Sequence, residues 1–581
     1  MKTTILYQVR KTAKGFLPLS LFALLPLCFS CSKMLETESD LVEFAENHTL
    51  NHATDSVYSV MGIINSMQKV ADRSVLLGSA RGDLMTVTPA ASSDLKRLAA
   101  FDFATANKYN EVSDYYAVIN NCNYFINNVD TAMERRGRNL FKREFAVAKS
   151  FRAWTYLQLA INYGEVPFFL EPLMTEKDAR DAMNGPRKNI SEICDALIAD
   201  LTPYVDVDLP EYGNVYNVNA QRFFIPMRAI LGDLCLWAGH YREAAGWYHD
   251  YLTDKRDPIE MSTHRVQWPN SSNFVRPNNY YSPTSTDEVR CFIPMETRVF
   301  DGVVSDLPNI YNSTTENKSF YQLTPSSAMY AISKEPIYCI ETKINNRADT
   351  IYVPRSGFTD DILVGDLRFY ANYSISSYGT QDEFSEYNSY TQYFSKFSNS
   401  LSRIPLYRTS MLYLRYAEAL NRAGLPQSAF AVLKYGMCED VTKNYVDTLE
   451  RADAGNLIYF DPDVYKRFDT DGNLLIFGVH ALGSGSAHAN KYYVLPQPET
   501  ALGSRQDTID YQIPLVEDLI IQEMALEGAF EGNRFFDLMR VALRRGDPAY
   551  LADPISRRDG EVDEALRAKL MDTSNWYLPL P

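Results

Sequence analysis

The feature that most constrains this chain is an apolar period of three and four residues that fills both ends and fails in the middle. Residues 141–161 carry Phe141, Phe145, Ala148, Phe151, Trp154, Leu157 and Ile161 at that spacing, and Gly164 and Pro167 stop the run. Residues 55–71 repeat it with Val57, Val60, Ile63, Ile64, Met67 and Val70, and residues 113–133 with Tyr116, Ile119, Cys122, Phe125, Ile126 and Val129. A further helix is expected over about 190–204. Stripes of this kind bury themselves against other helices, which predicts a mainly α chain. Ala229 to Ala244 reads as a helical hairpin turning at Gly239, its second helix running to about Leu252, and Leu412 to Leu433 repeats it with a turn at Gly424. Small residues occupy the expected close crossings. The hairpins are tetratricopeptide-like, although their spacing is not a regular 34-residue array, and a generic αα-hairpin packs with the same small residues. A last long helix is predicted from about Leu515 to Arg545.

Over roughly 255–405 the period fades and Pro, Asn, Ser, Thr and Tyr dominate. The chain has 39 tyrosines against 5 tryptophans, and 13 of the tyrosines fall in residues 268–400, so the excess concentrates in this irregular insert. Tyrosine offers a flat apolar face and a hydroxyl, which suits both cores and wet binding surfaces. Ile340–Ile344 and Thr350–Val353 read as short strands. Tyr465–Phe468, Asp471-Gly472 and Leu474–Phe477 read as a hairpin. The expected organisation is residues 1–30, 31–54, 55–254, 255–405 and 406–581, in line with a length of 581 residues that exceeds one ordinary core.

The first of these segments is an address. Lys2, Arg10, Lys11 and Lys14 precede an apolar run from Phe16 to Phe29, broken by Pro18 and Pro26, which is too short to span a bilayer and suits a signal peptide. Leu27-Cys28-Phe29-Ser30-Cys31 resembles a bacterial lipobox, whose cleavage leaves Cys31 first and acylated, palmitate included; Cys28 stands where Leu is usual. The alternative is an ordinary secretory peptide with a coincidental cysteine. Two or more acyl chains hold a protein on a membrane stably. Residues 31–54 follow as an acidic tether. Removing the four basic residues of 1–30, which has no acidic ones, takes the net charge from −16 to −20. That balance argues against nucleic acid as a partner. The six later cysteines are scattered without a C-x-x-C pair and support neither a zinc site nor a disulfide framework.

Catalytic and cofactor motifs are mostly missing. There is no G-x-x-x-x-G-K-[ST], H-E-x-x-H or G-x-S-x-G, and no cofactor or metal is called for. His48 and His52 are four apart without the intervening Glu. Asp469-x-Asp471-Gly472 imitates part of a calcium loop, but Arg467 stands at the first ligand position and Gly478 at the closing Glu, so a turn is expected. Arg81-Gly-Asp83 resembles an adhesion tripeptide, a pattern that recurs by chance. A glycosidase pair has no fixed spacing, so a surface glycoside hydrolase stays open as an alternative.

Ile520-Ile-Gln-Glu-Met-Ala-Leu-Glu-Gly-Ala-Phe-Glu-Gly-Asn-Arg-Phe-Phe-Asp-Leu-Met-Arg540 resembles the C-terminal signature of the SusD/RagB family, surface nutrient-binding lipoproteins of Bacteroidetes. Leu414 to Gly424 and Lys149 to Pro167 are similar to two further family segments, and Gly365-Asp-Leu-Arg368 and Tyr577-Leu-Pro-Leu-Pro581 fit more weakly. The resemblance implies a right-handed superhelix of four tetratricopeptide-like helix pairs supporting an irregular, loop-rich region with short strands. It implies no enzymatic activity, an outer-membrane, lipid-anchored, cell-surface location, and a SusC-like TonB-dependent transporter as partner. Oligosaccharides are the usual ligands; some members take peptides. The charges of the signature read as structural: Glu527, Glu531 and Arg534 are spaced to pair along one helix face, and Arg152 and Arg415 to tie carboxylates or carbonyls inside the bundle.

In family members ligand contacts come from loops away from the helical repeats. The matching segments are the loop from Asp83 to about Tyr109 and the insert from about Trp268 to Tyr330. Sugars present C–H faces to aromatic rings and hydroxyl rims to amides and charges. The candidates are therefore Trp268, Asn279, Tyr280, Tyr281, Tyr311, Tyr321, Asp83 and Tyr109. The alternative is that these rings pack a loop-rich layer.

Overall fold

Caps and glycines close the helical runs. Lys142–Tyr163 ends at Gly164, whose φ of 75° no β-carbon favours and whose N–H donates to the Ala160 carbonyl. Ile190–Leu201 opens on a capping box in which Asn189 and Glu192 satisfy each other's backbone N–H groups. Met227–Ala238 ends at left-handed Gly239, and the chain returns at once as Tyr241–Leu252. A β-carbon at Gly232 would lie 2.5 Å from the Tyr248 ring, so the two helices cross at a distance only glycine permits.

The computed structural model describes residues 50, 53–215, 218–261, 265–267, 278–279, 288–297, 302–313, 321–344, 347–353, 365–377, 390–398 and 401–580. Residues 51–581 form one compact unit. In it Ala53–Arg81, Val112–Asn128, Lys142–Tyr163, Ile190–Leu201, Met227–Ala238, Tyr241–Leu252, Thr409–Arg422, Pro426–Lys434 and Arg505–Glu527 each pack on the next. Arg534–Arg545 then packs back on Ala53–Arg81. The fold is mainly α, as the periodicity predicts. Among the described residues no helix is long and apolar enough to cross a membrane, and the six cysteines are buried and free. The signal peptide, Cys31, the tether to its last residues, His48 and His52 lie outside the described residues.

Several boundaries differ from expectation. The first helix runs ten residues further, to Arg81, and the second stops at Asn128 because Val129 is extended. The long helix expected over 515–545 is two, Arg505–Glu527 and Arg534–Arg545. Between them Phe530 (φ 72°) and Gly532 (φ 85°) reverse the backbone. That turn lies so close to Ala53–Arg81 that a β-carbon at Gly532 would strike the Val75 carbonyl, and one at Gly78 the Gly532 carbonyl. Local spacing cannot see this approach. The hairpin expected over 465–477 contracts to one bridge, Phe468 opposite Leu474, around a turn in which the Asp469 carboxylate accepts from the Asp471 and Asn473 N–H groups. Turn chemistry, not a calcium loop, uses that aspartate.

The insert is built of antiparallel two-stranded pairs and short helices. Tyr338–Ile344 pairs with Arg347–Val353, setting Ile340 opposite Ile351 as the strand signals predict. Tyr373–Ser377 pairs with Tyr390–Phe394, Val289–Pro294 with Arg403–Arg408, and Met85–Val87 with Leu323–Pro325. Leu307–Tyr311, Ser327–Lys334 and Arg368–Asn372 are short helices among them.

Candidate functional site

The pairing of Met85–Val87 with Leu323–Pro325 joins the two segments singled out for ligand contact, which are more than 200 residues apart. Side chains reinforce the seam. The Thr88 hydroxyl donates to the Tyr321 carbonyl at 2.6 Å, the Ser92 N–H to Gln322 Oε1 at 3.0 Å, and the Ser326 hydroxyl to the Asp83 carbonyl. Tyr321 stands half-buried on this seam.

Gln392 fastens the seam from behind. Fully buried, its amide donates to the Tyr311 carbonyl at 2.6 Å and the Leu323 carbonyl at 2.8 Å, and its Oε1 accepts from Thr324 and Tyr373. All four polar valences of the amide are used, as burial requires. An aromatic layer covers it. Phe530 meets Phe394 at 4.8 Å, Phe394 meets Tyr373 at 5.0 Å, Tyr373 stacks on Phe369 at 5.3 Å, and Phe369 meets Tyr330 edge-on at 4.9 Å. The layer therefore runs from the core to a ring in solvent: Tyr330 is 37% exposed, and on the neighbouring strand Tyr393 is 45% exposed.

The expected site residues divide by depth. Asp83 is buried and gripped by Arg534 through two hydrogen bonds of 2.8 and 2.9 Å, so its carboxylate serves the interior. Tyr311 is buried against Phe397 at 4.3 Å and Phe394 at 5.3 Å, and burial raises its hydroxyl. Tyr109 is 8% exposed beneath Lys108, whose ammonium lies 4.9 Å from the ring centroid. Burial raises its hydroxyl too. These three sit under the face and Tyr321 on it. Asn279 lies in the short pair Asn278–Asn279 with Val266–Gln267, opposite Val266, which is buried with Tyr338 and Leu367. Trp268, Tyr280 and Tyr281 lie outside the described residues. Arg81 of the adhesion-like tripeptide is wholly buried, its guanidinium donating to Trp576, Leu77 and Asn162.

Sequence reasoning missed Gln392, Tyr330 and Tyr393. A signal existed for two of them: Gln392 and Phe394 point inward and Tyr393 outward, the period of a strand.

Beneath the face lies an ionic frame made by the signature segment. Arg368, with no exposed surface, holds Asp366 at 2.8 Å, Glu523 at 2.7 Å and Glu527 at 3.2 Å. Arg408 holds Glu288 and Glu527 at 2.8 Å and Glu531 at 2.9 Å, and Lys396 reaches Glu531. His480 bonds the other oxygen of Glu523. The expected pairing of Glu527, Glu531 and Arg534 along one face is therefore corrected. Glu531 lies in the turn, and all three reach across to other segments. Burial alone would raise Glu523, but His480 and Arg368 outweigh it and hold the carboxyl at about 2. Glu418 is likewise held at about 2 by Arg422 and Arg540 against its burial. At Glu288 burial outweighs Arg408 and lifts the carboxyl to about 7. The expected ties of Arg152 and Arg415 are present: Arg152 to Asp200 at 2.7 Å and Asn123 at 2.7 Å, Arg415 to Asp233 at 3.0 Å.

The face thus offers rings, hydroxyls and amides on a stiff charged base. Among the described residues no group of His, Cys, Asp and Glu is placed to hold a metal ion.

No protein-family model and no curated relative matches the chain. Solved structures do. A SusD superfamily protein from Bacteroides vulgatus is similar over 92% of this chain and 96% of its own, with a TM-score of 0.53 at 14% identity. A SusD-like carbohydrate binding protein from Bacteroides fragilis covers 85% of this chain and 87% of its own, TM-score 0.52, 14% identity. NanU of B. fragilis covers 91% and 95%, TM-score 0.50, 15% identity.

Proposed function

We propose that this chain, which has the SusD-like fold, is a lipid-anchored, cell-surface binding protein for oligosaccharides and not an enzyme. The observation that carries the reading is the seam of Met85–Val87 with Leu323–Pro325, which sets half-buried Tyr321 and Gln322 against Thr88 and Ser92, with exposed Tyr330 in the short helix that follows. Rings for the C–H faces of a pyranose and hydrogen-bonding groups for its rim meet there on a preformed support. One of the similar solved structures is named a carbohydrate binding protein, which supports the same ligand class. Trp268, Tyr280 and Tyr281, with Asn279, complete the proposed ligand set, while Asp83, Tyr109 and Tyr311 hold the face from below. Cys31 is the proposed anchor. A SusC-like TonB-dependent transporter in the outer membrane is the proposed recipient of the ligand.

Titration calorimetry against panels of oligosaccharides and peptides tests the reading. The expected result is a stoichiometric glycan complex that yields no product on long incubation. Peptide binding without glycan binding would reject the ligand class, and turnover would reject a pure binder. Replacing Trp268, Tyr280 and Tyr281 together with Ala is expected to weaken binding at least tenfold, about 1.4 kcal/mol, with the melting temperature unchanged. Unchanged affinity would reject those residues.

A further inference from the structure

The helical part of the chain holds a groove apart from the ligand face. Met227–Ala238 and Tyr241–Leu252, where they turn at Gly239, line it together with the start of Ile190–Leu201, the end of Arg534–Arg545 and Tyr577. Its volume is about 720 Å³, the size of a cleft that takes one small ligand. None of its lining residues belongs to the seam of Met85–Val87 with Leu323–Pro325.

The lining is positive in a chain whose net charge is −16. Arg422, Arg540 and Arg544 line the groove against one acid, exposed Glu165. The carboxylates that pair with these arginines, Glu418, Glu517 and Asp537, are buried and line no part of it. Among the described residues the pairing is incomplete. Arg540 spends Nε and Nη2 on Glu418 and Asp537, which leaves Nη1. Arg544, 24% exposed, bonds Glu517 at 3.0 Å through Nη1 alone. Arg422, 1% exposed, gives Nε to Glu517 and has no hydrogen-bond partner for Nη1. A guanidinium donor taken from water without an acceptor costs free energy that a bound anion returns. The amino end of Ile190–Leu201 adds the same sign: Asn189, Ile190 and Ser191 line the groove, and the first N–H groups of a helix have no carbonyl within it to bond.

Rings supply the rest of the lining. The Arg540 guanidinium lies 5.3 Å from the Trp237 ring, and those of Arg422 and Arg544 lie 5.4 and 4.9 Å from Tyr241. Tyr577 packs so closely on Gly164 that a β-carbon there would meet its ring at 3.2 Å. Rings and guanidiniums held against one another are ordered before a ligand arrives, which lowers the entropy lost on binding. A bare inorganic anion has no use for rings, and a neutral sugar has none for three arginines. We infer that this groove is a second binding site, separate from the loop face, and that it takes a sugar bearing a carboxylate. The pyranose lies against the rings, and its carboxylate accepts from the free donors of Arg540 and Arg544.

The test is titration calorimetry of the full chain with D-glucuronate, D-glucose and inorganic phosphate. Glucuronate should bind one to one, at least tenfold more tightly than either of the others, and more weakly as ionic strength rises. Leu543 lines the groove and is 41% exposed, so Leu543→Glu and Leu543→Gln differ there by one charge and disturb little packing. Leu543→Glu should weaken glucuronate binding at least tenfold and Leu543→Gln by no more than threefold, both melting as wild type does. The variant with Trp268, Tyr280 and Tyr281 replaced by Ala should bind glucuronate as wild type does. No glucuronate binding by wild type, or equal affinity in the two Leu543 variants, overturns the site. Phosphate or glucose binding as tightly as glucuronate overturns the ligand class. Loss of glucuronate binding in the Trp268 variant assigns the ligand to the loop face and overturns the second site, while leaving the proposed function standing.

Discussion

The ionic frame and the seam behind the candidate face are both buried polar constructions, and they are built oppositely. The frame joins Arg368, Arg408 and Lys396 to five carboxylates in a volume with almost no solvent. The seam behind the face relies on one neutral amide, Gln392, and on backbone pairing. Charges bought at such depth lose several kcal/mol of hydration each and survive only as a complete set. Neutral hydrogen bonds forfeit less when one is lost. The frame is thus suited to be invariant in shape, and the face to tolerate changes of residue without collapse of the fold.

The sharpest way to break the contrast is Arg368→Ala. It leaves Asp366, Glu523 and Glu527 short of a partner and should cost about 3–5 kcal/mol in denaturant titration; a loss below about 1 kcal/mol would show that the frame is not a cooperative set. Gln392→Ala strands the Tyr311 and Leu323 carbonyls and should cost about 1–3 kcal/mol. It should also loosen ligand binding, which Arg368-distant surface changes should not; calorimetry and denaturation on the same sample check both. A third test uses pH. Glu418 and Glu523, held at about 2, contribute stability that is complete above the unfolded value near 4.5 and is lost as pH falls toward 2. Glu288, lifted to about 7, has the opposite sign: its contribution is complete below about 4.5 and is lost as pH rises through 7. Glu288→Gln should therefore gain stability relative to wild type between about pH 4.5 and 7 and hold that difference above it; a difference independent of pH would refute the assignment. The smallest effect belongs to Tyr393→Ser, which should change stability by no more than about 0.5 kcal/mol because nearly half of the residue is in solvent.

The frame and the face were also unequally legible in sequence. Helices such as Lys142–Tyr163 could be read because core spacing and stop signals are local, and Arg152 and Arg415 could be assigned to internal ties because arginine on an apolar stripe needs a partner. The break at Gly528–Asn533 could not, since its cause is the backbone of Ala53–Arg81 pressing from some 450 residues away. For the same reason the partners of Glu527 and Glu531 were invisible: they lie on segments near 368, 396 and 408. The two segments expected to contact ligand, Asp83 to about Tyr109 and about Trp268 to Tyr330, are joined by the pairing of Met85–Val87 with Leu323–Pro325, which no local signal announces. Depth was not legible. Nothing in the local sequence of Asp83 or Tyr311 distinguishes a residue under the surface from Tyr321 on it.

Arg81 carries a consequence for how the molecule is made. Its buried guanidinium, which burial draws down to about 9, is satisfied by the Asn162 side chain and by the carbonyl of Trp576, 495 residues later. The rings of Phe535 and Phe536 flank it, and the Leu578 N–H closes the same junction on the Asn162 carbonyl. A chain made amino end first therefore holds Ala53–Arg81 without these partners until the segment around Trp576 has been made. Contacts of such span form late.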